Sequence, residues 1–140
     1  MEKIISYLIS VIYYLCFGLT LVIFHPIQWV CFNVFGYQAH KKSVDYLNFW
    51  LTKCTNILGT TYSFENKDSI PKGVPIIFVA NHQSLYDIIG IIWYLRRFHA
   101  KFVSKKELGK GIPSVSYNLR HGGSILIDRK DPKQAIPLIK

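Results

Sequence analysis

The sequence predicts an α/β fold set behind membrane-embedded N-terminal helices. Three observations carry this prediction. From Ile4 to His40 there is no Asp, Glu, Lys or Arg. Downstream, strand-like and helix-like runs alternate (Val74 to Val79, Leu85 to Leu95, Lys101 to Ser104, Ile112 to Leu119, Ser124 to Ile127), which is the order of an α/β layer. Half of the 140 residues are hydrophobic and mean hydropathy is +0.20, high for a soluble chain. The length allows one domain and an appendage, divided as a membrane-embedded segment over residues 1–40 and an α/β domain over residues 41–140.

The elements follow in order. Ile4 to Phe24 as a helix is about 30 Å long, enough to cross a bilayer core. His25-Pro26 is expected to break it. Ile27 to Ala39 is apolar but too short to span, so spanning and embedding in one face both fit this block. Trp29, Tyr37 and Trp50 suit an interfacial belt. Lys41 and Lys42 follow directly and place the rest of the chain on the cytoplasmic side by the positive-inside rule. Ser43 is the expected N-cap of an amphipathic helix over residues 43–58. Its apolar face is Val44, Leu47, Leu51, Cys54 and Leu58, with Asp45, Asn48, Thr52 and Asn56 largely opposite, and Gly59 ends it. Thr60 to Glu65 reads as a short strand and Asn66 to Gly73 as a turn region. Val74 to Val79 reads as a strand buried on both faces, and Leu85 to Leu95 as a helix apolar nearly all round. Asp131-Pro132 opens a last helix.

Charge is uneven. Eleven Lys or Arg against three Asp or Glu lie between Ile91 and Lys140, so +8 of the net +9 sits there. Such a balance attracts phosphate groups, a coenzyme or an anionic membrane surface. No nucleic-acid partner is expected, because no reading motif accompanies the charge. Cys16, Cys31 and Cys54 sit among apolar residues without metal-ligand spacing. They read as reduced, buried small hydrophobes, and no metal site is expected.

The spacing His-x-x-x-x-Asp occurs twice, at His40–Asp45 and at His82–Asp87. A histidine oriented by a carboxylate is a ready general base. On a continuous helix, residues five apart diverge by about 140°. His82 and Asp87 can meet only if His82 sits on the turn before a helix and Asp87 in its first turn. The run ending at Ala80 supplies that arrangement, at the kind of strand-to-helix turn where α/β folds place ligands. His40 has no such context and is expected outside the helix beside two lysines, with Asp45 serving the helix dipole.

Asn81-His82-Gln83-Ser84-Leu85-Tyr86-Asp87 resembles the first motif of the glycerolipid acyltransferases, the group that includes 1-acylglycerol-3-phosphate acyltransferase. Phe102 to Leu108 and Pro113 to Arg129, ending Gly123-Ser124-Ile125-Leu126-Ile127-Asp128-Arg129, resemble the second motif block, in the same order. The resemblance implies an acyltransferase-type α/β domain. His82 would be the base that deprotonates a glycerol hydroxyl, and Asp87 would orient it. Lys105 and Arg129 would bind acceptor phosphate, with Asn81, Lys106 and Arg120 as supporting candidates and His121 unassigned. It implies no cofactor, acyl-CoA or acyl carrier protein thioester as co-substrate, a lysophospholipid acceptor and membrane lipid as partners. The expected product is phosphatidic acid. Another lysophospholipid or glycerol 3-phosphate as acceptor, or an inactive membrane-anchored lipid- or anion-binding module, are the alternatives. Ser116 stands where the family usually has Gly, and Arg120-His121 where it often has aromatic or aliphatic residues, which bears on acceptor choice. The family's third motif, resembling Pro-Glu-Gly-Thr-Arg, is expected after Lys140, so the chain is expected to be an N-terminal fragment, its domain incomplete and inactive alone.

Overall fold

The computed structural model describes residues 2–65, 69–71 and 73–139. The uncharged N-terminal block forms one helix, α1, Glu2–Phe35. Pro26 lies inside it, so the expected break at His25-Pro26 and the separate segment from Ile27 to Ala39 are both corrected. Proline removes only its own N–H from the ladder, and apolar helices absorb that loss where neighbouring groups satisfy the backbone. Three polar residues of α1 donate to its own backbone. Ser10 Oγ donates to Ser6 O at 2.8 Å, Thr20 Oγ1 to Cys16 O at 2.7 Å and Asn33 Nδ2 to Trp29 O at 2.8 Å. Lys3–Phe35, with mean hydropathy 2.2, is long and apolar enough to cross a membrane. Much of its apolar surface is exposed, including Tyr7, Leu8, Leu15 and Leu19.

Gly36, at φ 81°, reverses the chain directly into α2, Tyr37–Asn56. Only glycine takes that conformation without penalty. The helix therefore starts six residues before the expected Ser43 cap. Ser43 lies inside it, its Oγ donating to His40 O at 2.6 Å. The two helices run antiparallel, since Phe32 meets His40 (5.5 Å between ring centroids) while Thr20 meets Cys54 (3.7 Å). Val44, Leu47, Leu51 and Cys54 are buried as expected, but so are Asn48 and Thr52. The reason is that α2 is packed on two sides, by α1 and by α3, Leu85–Tyr94. Asn48 and Thr52 tolerate burial because each donates to its own backbone, at Val44 O and Phe49 O. The exposed stripe of α2 is instead Lys42, Tyr46, Trp50 and Lys53. Gly59, at φ 78°, closes the helix. Its N–H bonds to Asn56 O and that of Thr60 to Thr55 O, the paired bonds of a Schellman end.

Residues 60–65 carry no regular secondary structure, so the expected strand is not formed among the described residues. Tyr62 packs on Gly90 so closely that a Cβ there would lie 2.8 Å from its ring. Of the expected turn region, Asn66 to Asp68 and Lys72 lie outside the described residues. The run Val74 to Val79 is a second correction. It forms no strand among the described residues, and Ile77 and Val79 are 90% and 93% exposed. A buried strand needs neighbours on both edges and both faces, whereas among the described residues this run has no strand beside it and its Phe78 ring meets Phe98 at 5.5 Å between centroids.

The sheet has two parallel strands, β1 (Val103–Lys105) and β2 (Ile125–Ile127), with Val103 opposite Ile125 and Lys105 opposite Ile127. A 3₁₀ turn, Lys106–Gly109, and α4, Val115–His121, connect them. The final helix, α5, Pro132–Ile139, opens as expected. Asp131 Oδ1 accepts from Lys133 N and Gln134 N at 3.1 and 3.2 Å. The architecture is thus mostly helical with a small parallel sheet, a looser α/β fold than predicted.

The α3–α4 side of the protein lies along α1. Tyr86 packs edge-on against Tyr13 and Phe17. Buried Ser114 donates from N to His25 Nδ1 at 3.0 Å and from Oγ to Leu21 O at 2.6 Å. Asn33 Nδ2 donates to Tyr117 Oη at 3.1 Å. From Tyr13 to Asn33 is about 30 Å of helix, one face of which is covered by protein.

Candidate active site

Ser84 begins α3. Its Oγ accepts from Tyr86 N at 3.3 Å, and Asp87 returns the contact to form a capping box. The pattern Ser-x-x-Asp before an apolar run announces this cap in the sequence. Asp87 Oδ2 accepts from Ser84 N at 2.8 Å, from Gln83 N at 2.9 Å and lies 3.3 Å from His82 Nδ1. One carboxylate oxygen therefore caps the helix and holds the imidazole. His82 itself sits on a tight turn, its N–H bonded to Ala80 O at 3.0 Å.

The N–H groups of Ser84 and then Gln83, followed by the His82 ring, hold the Asp87 carboxyl below its ordinary value. A depressed carboxylate contributes stability above the unfolded-state pKa of about 3.9 and loses it as pH falls through the lower folded value. Asp87 is ionised at neutral pH. An ionised carboxylate only accepts, so the proton of the pair sits on His82 Nδ1, and in the neutral imidazole Nε2 then presents a lone pair. Both side chains are open to solvent, 45% and 39% exposed. The arrangement can take a proton from a hydroxyl brought to Nε2.

The other sequence candidates stand apart from the pair. Lys105 ends β1, and Arg129 lies two residues beyond β2. Because the strands are parallel, both sit at the carboxyl edge of the sheet. Lys105, Lys106, Arg129 and Asn81 are exposed. Arg120 Nε donates to Ser116 O at 3.3 Å. Among the described residues, no hydrogen bond or ion pair joins any of these to His82 or Asp87. His121 packs its ring on Tyr117 (4.3 Å) and Phe32 (4.9 Å). Tyr86, Tyr13 and Phe17, which seat the catalytic-type turn on α1, were not singled out from sequence. Their contacts span 73 and 69 positions, and no local pattern reports them.

The first His-x-x-x-x-Asp forms no pair. His40 lies within α2 rather than before it and is 1% exposed, its Nε2 without a hydrogen-bond partner. Asp45 lines a cavity of about 30 Å³ beside Lys41 and Arg96, the size of one water molecule. Burial, reinforced by His121 and Lys101, pulls His40 down from 6.5 to about 4. The unfolded chain then binds the proton more readily than the fold. His40 is expected to contribute a fall in stability of about 3 kcal/mol as pH drops from 6.5 to about 4, a range over which His99, lowered likewise to about 4 by burial, adds to the loss. Denaturant melts across that range measure it, and His40→Gln should reduce the slope. An unchanged slope in the variant would assign the effect elsewhere.

The sequence pattern of the Acyltransferase family matches residues 61–140, a stretch holding the His82–Asp87 turn, both strands and α4. The chain belongs to the Acyltransferase family. A 1-acyl-sn-glycerol-3-phosphate acyltransferase from Helicobacter pylori is 42% identical over 84 residues, covering 58% of this chain and 33% of that protein. The chain thus spans about a third of that relative's length. No solved structure matches it.

Proposed function

We propose that this acyltransferase-family chain provides the base for moving a fatty acyl group from a thioester to the free hydroxyl of 1-acylglycerol 3-phosphate, giving phosphatidic acid. The observation that carries the reading is the 3.3 Å approach of His82 Nδ1 to Asp87 Oδ2, inside the stretch that matches the family. His82 Nε2 takes the hydroxyl proton as the oxygen attacks the thioester carbonyl. The C–O ester bond forms, the C–S bond breaks, and the proton leaves with the thiol of coenzyme A or acyl carrier protein. The Asp87 carboxylate stabilises the intervening imidazolium. Lys105 and Arg129, at one edge of the sheet, are the proposed phosphate ligands, with Lys106, Arg120 and Asn81 in support.

The test is acyl transfer by the purified full-length protein with a panel of acceptors: 1-acylglycerol 3-phosphate, glycerol 3-phosphate, a lysophospholipid with a larger headgroup, and monoacylglycerol. Fastest turnover on the first supports the reading. Preference for monoacylglycerol would remove the phosphate-binding role, and absence of turnover on any acceptor would favour a lipid-binding module.

The membrane reading is refined by the contacts along α1. Protein covers one face of α1 for about 30 Å, so lipid reaches only the opposite, apolar face. We read α1 as embedded from one side, with Lys41 and Lys42 at a cytoplasmic surface. An introduced cysteine, Lys3→Cys, should then react with an impermeant maleimide only from the cytoplasmic side. Labelling from the far side would show that α1 crosses the bilayer.

A further inference from the structure

A groove of about 450 Å³ runs between α1 and α2. Its walls are Phe24, Ile27 and Cys31 from α1 and Tyr46 and Trp50 from α2, with Ala39 leaving the space between them. On α2 these residues recur at helical spacing on a face separate from Leu47 and Leu51, which pack against Ile89 of α3. The groove therefore lies on the opposite side of the hairpin from the surface that carries His82. Along α2 it extends about 16 Å, room for much of a fatty acyl chain.

The charge at the groove decides its occupant. Lys42 lines it, no acidic residue does, and Lys42 makes no hydrogen bond or ion pair among the described residues. Trp50, 52% exposed, and Tyr46, 61% exposed, are the residue types that settle at the headgroup level of a bilayer. An apolar channel with one free cation at its rim matches an anionic lipid: chain in the channel, phosphate on the ammonium. A zwitterionic headgroup brings its own cation to the same place and gains less.

We propose that this groove binds one anionic phospholipid, its acyl chain between α1 and α2 and its phosphate on Lys42 Nζ, at a site separate from His82. The site would select the lipid that surrounds the protein and is independent of acyl transfer, because it is read by retention rather than by turnover. The full-length protein is purified in detergent, mixed with equal amounts of phosphatidylglycerol and phosphatidylcholine, and its bound lipid counted by native mass spectrometry. One phosphatidylglycerol should be retained with about fivefold preference, the effect of one lysine beside an anionic lipid. Lys42→Gln, an exposed change, should abolish the preference. Ala39→Trp, which fills the groove, should lower retention of both lipids, with circular dichroism confirming the helices; if it unfolds, the Lys42 arm decides. His82→Ala should retain lipid as the parent does. Equal retention of the two lipids, preference surviving Lys42→Gln, or loss of lipid in His82→Ala would each overturn the proposal, the last by placing the lipid at the catalytic turn.

Discussion

His82→Ala is expected to lower acyl transfer by about 10²–10⁴-fold, the range of a positioned general base, while leaving the fold intact. The ring is 45% exposed and its side-chain partner is Asp87, so its removal opens no cavity. Surface changes of this kind alter stability by about 0.5 kcal/mol or less. The loss should appear in kcat, since the base acts on the hydroxyl after binding, with KM for both substrates little moved. Turnover equal to the parent's would end the base assignment, and a raised KM with unchanged kcat would make His82 a binding residue. Matching thermal melts for the two proteins separate either result from unfolding.

Asp87→Asn should be nearly as damaging, for a different reason. The amide oxygen can still accept from Ser84 N and Gln83 N, so α3 keeps a cap. What changes is the partner offered to His82. Because the oxygen that caps α3 is the one that meets His82 Nδ1, the geometry survives, and what is lost is the negative charge that stabilises the imidazolium. A loss of about 10³–10⁴-fold is expected, the scale seen when a triad carboxylate becomes an amide. Because the two residues act as a unit, the double variant His82→Ala, Asp87→Asn should be no slower than His82→Ala alone. Independent, multiplying losses would show that Asp87 acts through the helix rather than through the histidine. Asp87→Glu provides the contrast, since it keeps the charge but moves it one methylene further along the same turn.

The parts of the protein that were legible in the sequence are those decided by near neighbours. Gly59 at the end of α2, Asp131-Pro132 at the start of α5, and His82 on the turn with Asp87 in the first turn of α3 are all local hydrogen-bonding arrangements within six residues. The apolar helix was legible because its composition leaves no other stable state for its backbone in lipid. Its continuation through Pro26 was not, because a proline interrupts or is absorbed according to what packs around it. The α2 boundary was misplaced for a related reason. The change from uncharged to charged residues at Lys41 is a change of composition alone, whereas the helix begins where Gly36 reverses the backbone.

The same division runs through the candidate site. By itself the sequence determined that His82 and Asp87 could face each other, because a turn followed by a capped helix closes a five-residue spacing whatever lies beyond. Tertiary structure alone decided that His40 and Asp45, with identical spacing, do not: α2 runs unbroken through both, and Phe32 and Tyr117 enclose the imidazole. It also decided that the His82 turn rests on α1 through Tyr86, Tyr13 and Phe17, and that the run Val74 to Val79 stays exposed. Hydrogen bonds within a turn are set by a few adjacent dihedral angles. Burial is set by which distant surface arrives, and no short stretch of sequence carries that information.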